Sequence, residues 1–199
     1  WLRQSPRPEA VVSVFPNFNG VIRDALREAF PGVPLVVVLT DYADFPPRFW
    51  IEPGLDRVVV GTREAAEQAR SLGIPVERVT QVSGMILHPR FYSAVELGRR
   101  ERVRGELQIG PLEFTASLLF GGKGSPEMLP LAEALLRENE ALRLIAICGD
   151  NPPLFERMAP LQARSAGRLL RFGYTDKVAD LLAASDLLVS KPGPGSLAE

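Results

Sequence analysis

Short runs rich in β-branched residues recur along the chain at 11–14 (VVSV), 35–40 (LVVVLT), 57–60 (RVVV), 79–82, 114–119, 142–148, 168–171 and 187–190. Their brevity and near-continuous apolar character are those of strands buried on both faces of a parallel sheet. Amphipathic segments fall between them. Asn19 to Phe30 sets Val21, Ile22, Ala25, Leu26 and Ala29 on one helical face, and Thr62 caps a helix in which Ala65, Ala66, Ala69 and Leu72 recur until Gly73 ends it. Pro126 is expected at a first helical position, ahead of Met128, Leu131, Ala132, Leu135 and Leu136. Alternation of this kind predicts an α/β chain whose parallel strands are joined by crossover helices in a doubly wound arrangement. Between 92 and 111 the pattern gives way to YSAVELGRRERVRGELQIGP, rich in Glu and Arg and flanked by the turn residues Pro89 and Pro111. This break predicts a first lobe over 1–92, a linker over 93–111 and a second lobe over 112–199.

Charge and cysteine usage narrow the classes of function. With 23 Lys+Arg against 24 Asp+Glu, the formal net charge of -1 gives no bulk attraction to nucleic acid or to an anionic bilayer, so no nucleic-acid partner is expected. The single cysteine, Cys148, excludes an internal disulfide framework and a multi-cysteine metal site. The longest apolar runs, 35–39 and 142–148, are far shorter than the roughly 20 residues a membrane-spanning helix needs. The chain opens at Trp1 and stops at Glu199 just inside a helix start, and it is expected to be incomplete at both ends.

Two loops carry candidate chemistry. In LLFGGKGSPE (118–127) a strand enters Gly121, Gly122, Lys123, Gly124 and Ser125 and leaves through Pro126 into a helix. A turn without side chains lets backbone N–H groups approach an anion, and the helix dipole favours negative charge there. The spacing matches neither the phosphate loop of NTPases nor the dinucleotide GxGxxG. In DLLVSKPGPGSLAE (186–199) a second strand runs into Lys191, Pro192, Gly193, Pro194, Gly195 and Ser196. The prolines stiffen this loop, the glycines leave N–H groups open, and Ser196 adds a hydroxyl. Glu199, three residues beyond Ser196, is placed either to complete a capping box or to accept from two vicinal ribose hydroxyls. Two anion-ready loops at the carboxyl ends of strands in one lobe suit a diphosphate linked to a sugar.

The spaced set GGKGSPE, ICGDN (147–151) and RFGYTDKVADLLAASDLLVSKPGPGSLAE resembles the donor lobe of the family 28 glycosyltransferases, most closely the monogalactosyldiacylglycerol synthases and processive diacylglycerol glucosyltransferases. In the first half VVSVFPNFN, VVLTDYADFPPRFW, DRVVVGTREAAEQARSLGIP and QVSGMILHPRF resemble the acceptor-lobe segments in the same order. The resemblance implies a GT-B fold of two Rossmann-like lobes with parallel sheets. It implies transfer of galactose or glucose from UDP-galactose or UDP-glucose to diacylglycerol with inversion, by an enzyme lying peripherally on the cytoplasmic face of the membrane. Gly121, Gly122 and Gly124 would face the donor diphosphate, with Gly193, Pro194, Gly195 and Ser196 as the second phosphate contact. Phe172 and Gly173, with Tyr174, would line the uracil, and Glu199 would take the ribose hydroxyls. Asp41 is the candidate polar group of the acceptor lobe, while the catalytic base is expected outside the chain. No cofactor is implied beyond the UDP-sugar donor substrate, and the chain lacks the Asp-x-Asp motif of metal-dependent glycosyltransferases. Departures from the family pattern are the absence of a His after Thr40–Asp41 and the position of the one imidazole, His88, before Pro89. The segment Phe45 to Trp50 is read as an exposed apolar, aromatic and basic stretch able to touch lipid. Alternative readings are an N-acetylglucosaminyl transferase acting on a lipid-linked peptidoglycan precursor, and a UDP-binding module without catalysis.

Overall fold

A computed structural model describes residues 6–85, 87–91 and 97–198. The chain divides into two compact units, Trp1–Ile86 and Leu87–Glu199.

In the first unit, strands β1 (Val11–Ser13), β2 (Leu35–Val38), β3 (Arg57–Val60) and β4 (Val79–Gln81) form a parallel sheet in the order β1-β2-β3-β4. Helices α1 (Asn19–Ala29) and α2 (Arg63–Ser71) connect β1 to β2 and β3 to β4. Thr62 caps α2 as expected, its hydroxyl oxygen accepting from the Ala65 N–H at 3.1 Å, and Gly73 follows in the left-handed region at φ +80°. The core lies on one side of the sheet, where Leu35, Val37, Val58 and Val60 meet Leu26, Ala65, Ala66 and Ala69. Val12 and Val14, on the other side, are exposed. Among the described residues the helices of this unit lie on that one face. Right-handed crossovers that add each strand to the same edge deliver their helices to the same face.

The second unit is covered on both faces. Its strands β5 (Thr115–Leu119), β6 (Arg143–Ile147), β7 (Leu169–Phe172) and β8 (Leu187–Ser190) are all parallel and run in the order β7-β6-β5-β8. Ala116, Leu118, Leu144, Ala146 and Leu169 point to one side, against α4 (Met128–Glu138), α5 (Pro152–Arg157) and α6 (Ala159–Arg164). Leu119, Ile145 and Ile147 point to the other, against α3 (Arg99–Glu106) and α7 (Val178–Ala183). The strict alternation follows from the two-residue period of a strand. Helix α8 (Pro194–Ala198) closes the described chain.

Helix α3 falls within the expected linker span 93–111 and packs into the second unit. Its Arg104 is buried: Nη1 donates to Ala184 O at 2.8 Å, and Nη2 to Gly110 O at 2.6 Å and Glu113 O at 2.5 Å. The guanidinium thus ties together the two connections α3–β5 and α7–β8 through their carbonyls.

Candidate functional site

Strand order decides what the glycine loops can do. From β5 the chain proceeds outward through β6 and β7, then returns to place β8 on the opposite flank of β5. Open α/β sheets bind ligands outside the carboxyl ends of the strands at such a reversal. Leu119 of β5 pairs with Ser190 of β8, so the two strands end level and, as neighbours, roughly 4.8 Å apart. The loops that follow, 120–127 and 191–193, consequently leave side by side. Gly121, Gly122 and Gly124 thus follow β5, and Gly193, Pro194, Gly195 and Ser196 follow β8, at the same end of the sheet. Lys191 is close enough to Glu127 to help lower its carboxyl below the usual range, the larger cause being the Ser125 hydroxyl, which donates to that carboxylate.

The first loop is fixed from the β6 side. The Asp150 N–H donates to Gly122 O at 2.8 Å, the Asn151 side-chain amide to Lys123 O at 3.0 Å, and Lys123 Nζ to Asp150 Oδ2 at 2.5 Å. Asn151 also caps α5, accepting from the Leu154 N–H at 3.1 Å. Because a trans peptide aims its C=O and N–H in opposite directions, the Lys123 N–H is turned away from Asp150. A Cβ on Gly124 would lie 2.5 Å from Cys148 O and 2.9 Å from Leu154 Cδ2, and one on Gly149 only 2.3 Å from Gly122 O. These two glycines are required by backbone packing. A Cβ on Gly121, Gly122, Gly193 or Gly195 would meet nothing within 4 Å.

In the second loop the Leu197 N–H donates to Gly193 O at 3.1 Å, closing the first turn of α8. The N–H groups of Gly195 and Ser196 lie inside that turn and have no intrahelical acceptor. Glu199 lies outside the described residues. Phe172 ends β7 half-buried, and its carbonyl accepts from the Cys148 N–H at 2.7 Å. That carbonyl is committed to the sheet, which leaves Gly173 and the exposed Tyr174, at the same end of the sheet, as the groups able to meet a base.

In the first unit, Asp41 follows the end of β2 and its Oδ2 accepts from the Trp50 indole N–H at 2.6 Å. Asp44 is buried, its carboxylate accepting from the N–H groups of Trp50 at 2.6 Å and Arg48 at 2.9 Å. Trp50 is itself a core residue at 2% exposure, so the expected lipid-facing stretch shortens to Phe45–Arg48. His88 opens a short turn, its carbonyl accepting from the Phe91 N–H at 3.0 Å. Burial pushes the Cys148 thiol up to about 11, an inert side chain.

Sequence reasoning passed over Lys123, Lys191 and Asp150 as members of the site, although the strings GGKG, SKPG and ICGD display them. Open concavities of this unit also lie away from the glycine loops. One of about 570 Å³ is lined by residues 110–114 with Glu140, Ala141, Arg143 and Arg168, at the amino end of the strands. Recognition of phosphate by main-chain N–H groups needs an open turn, not an apolar cavity.

Residues 2–85 match the family model for monogalactosyldiacylglycerol (MGDG) synthase. The chain is 22% identical over 194 residues to a processive diacylglycerol beta-glucosyltransferase of Bacillus subtilis, covering 97% of this chain and 48% of that protein. It is 25% identical over 195 residues to the protein of that name from Staphylococcus saprophyticus, covering 97% and 47%. The chain is similar to the diacylglycerol glycosyltransferases over nearly its whole length. It spans about half the length of the relatives it matches. Among solved structures, HepE of Anabaena in complex with UDP superposes with a TM-score of 0.54 at 14% identity, covering 90% of this chain and 52% of that one. The UDP-N-acetylglucosamine 2-epimerase of Rickettsia bellii superposes with a TM-score of 0.55 at 14% identity, covering 93% and 52%. These likenesses establish the two-lobed α/β fold with parallel sheets.

Proposed function

We propose that the second unit holds the diphosphate of a UDP-sugar between the loops after β5 and β8, and that the chain is part of an enzyme transferring glucose or galactose to diacylglycerol with inversion. The observation that carries the reading is the pairing of β5 with β8, which sets two glycine loops side by side at the reversal of strand order. N–H groups of Gly195 and Ser196 and the cations Lys123 and Lys191 would face the charge that grows on the leaving diphosphate. Preorganised donors of this kind are worth roughly 2.7 to 4 kcal/mol each in measured oxyanion sites. Gly173 and Tyr174 would meet the uracil, and Glu199 the ribose. The relatives' names supply the acceptor, diacylglycerol. Asp41 is the proposed polar group on the acceptor side, with Oδ1 left to address a hydroxyl once Trp50 has engaged Oδ2.

Thermal stabilisation separates the donors. A ligand binding the folded state at 100 times its Kd adds about 2.7 kcal/mol. UDP and either UDP-glucose or UDP-galactose should raise the melting temperature well above the effect of UDP-N-acetylglucosamine, and the full-length protein should move radiolabelled hexose into diacylglycerol vesicles. Donor hydrolysis without glycolipid would defeat the transfer reading, and epimerised UDP-N-acetylglucosamine would replace it with the chemistry of the other fold neighbour. The isosteric Asp41→Asn keeps the Trp50 hydrogen bond and removes basicity. A drop in kcat of about 100-fold or more with unchanged melting would mark Asp41 as proton acceptor.

A further inference from the structure

The loops at the carboxyl end of the first unit's sheet turn the carboxylates of Asp44 and Glu52 onto backbone N–H groups and leave three phenyl rings exposed, the reverse of an ordinary solvated surface. Asp44 spends its carboxylate on the Trp50 and Arg48 N–H groups, and Glu52 Oε1 accepts from the Gly20 N–H at 2.8 Å. Meanwhile Phe15 is 59% exposed, Phe18 53% and Phe45 78%. Phe15 and Phe18 stack on one another with centroids 6.0 Å apart and planes 14° from parallel.

The two loops that carry these rings are clasped together. The Asn17 N–H donates to Phe49 O at 2.6 Å, and the Asn19 side-chain amide to Trp50 O at 2.9 Å. On the far side of Phe45, the Asp44 N–H donates to Gln68 Oε1 at 2.8 Å. The backbone is therefore fixed while the rings project from it, so burying them against a partner costs little further chain ordering. Arg48, exposed and three residues after Phe45, adds a cation at the same rim.

We infer that this rim is an interfacial membrane anchor, in which Phe15, Phe18 and Phe45 enter the boundary between lipid headgroups and acyl chains while Arg48 stays among the headgroups. The identity of the partner rests on the proposed acceptor, a lipid that resides in the bilayer. Contact with such an acceptor would be made by side chains at the surface, and no helix of the described residues is long and apolar enough to cross a membrane. Binding of this kind scales with buried apolar area plus attraction to anionic lipid.

Flotation of the 199-residue chain with phosphatidylcholine vesicles containing diacylglycerol, with and without phosphatidylglycerol, tests the anchor. The wild type should float, and the triple variant F15S/F18S/F45S should lose at least tenfold in vesicle partition with its circular-dichroism melt unchanged. Phe45→Ser alone, at the most exposed ring, should lose part of the partition and serves where the triple variant folds poorly. Arg48→Gln should weaken binding to the anionic vesicles alone. Equal partition of wild type and Phe45→Ser, or a wild type that stays in solution with both vesicle types, would overturn the inference. So would a wild-type dimer that the variants convert to monomer, since the rim would then be a contact between copies. UDP-dependent stabilisation read in parallel keeps the two readings apart: its loss with flotation intact refutes the donor site and leaves the anchor standing.

Discussion

At Gly124 and Gly149 a Cβ would be driven to 2.5 Å of Cys148 O and 2.3 Å of Gly122 O, with φ of +58° and +64°. Nothing crowds Gly193 or Gly195, and neither has a positive φ. Glycine at the first pair is explained by the close approach of two loops, whereas glycine at the second pair answers to nothing within the chain and is left for a ligand to explain. Gly193→Ala and Gly195→Ala should therefore melt with the wild type while losing more than tenfold in UDP affinity by calorimetry. Gly149→Ala should cost about 3 kcal/mol or more in denaturant unfolding, since backbone must move and φ is unsuited to a side chain. Equal UDP affinity in the first two variants would remove Gly193 and Gly195 from the site. Ala166 gives the converse case: it occupies φ +52° with a side chain, so Ala166→Gly should raise stability by about 0.5 to 1 kcal/mol.

At the scale of elements, Asp186 ties the amino end of β8 to β5 and α3. Its carboxyl is held below the usual range first by the Thr115 N–H at 2.8 Å and then by Arg100 at 2.5 Å. A depressed folded value contributes stability that is fully present above the unfolded value of about 3.9 and disappears as pH falls through the folded one. Wild-type melting temperature should accordingly drop more steeply than that of Asp186→Asn below about pH 4, and parallel curves would deny Asp186 this part. Elements of this kind were unevenly legible. All eight strands stand where β-branched runs predict them, and β5 and β6, which lie between two helical layers, are the most fully buried of them. Helix α3 reads as a solvated linker because much of what it buries is Arg104, and no hydrophobic pattern registers a buried charge. The two glycine loops were visible in the sequence, but their adjacency was not, since strand order depends on contacts between β5 and β8 some 70 residues apart in sequence. Asp41 and Asp44 look alike in TDYAD, and which one is spent on backbone N–H groups is settled by how the chain turns back through Trp50.

At the scale of the whole molecule, the second unit carries two core layers of its own. Leu118, Met128, Leu144 and Leu169 fill one face of its sheet and Val103, Ile145, Ile147 and Leu181 the other, while every strand beneath the two glycine loops belongs to this unit. A domain of roughly 100 residues with a core on both faces of its sheet is large enough to fold alone. Residues 97–199 expressed by themselves should therefore unfold cooperatively and bind UDP within about threefold of the whole chain, whereas residues 6–85 should show no UDP binding. Arg104→Ala in the shorter piece should cost about 3 kcal/mol or more, because it removes the donor to Ala184 O and the second donor to Gly110 O and Glu113 O, and Arg104→Lys should not restore them, lacking the fork that reaches all three. A shorter piece that folds but no longer binds UDP would mean that donor recognition draws on residues of the first unit. The β5–β8 pairing would then be insufficient as the basis of the site, and the same calorimetry on pieces extended toward residue 6 would locate the missing contacts.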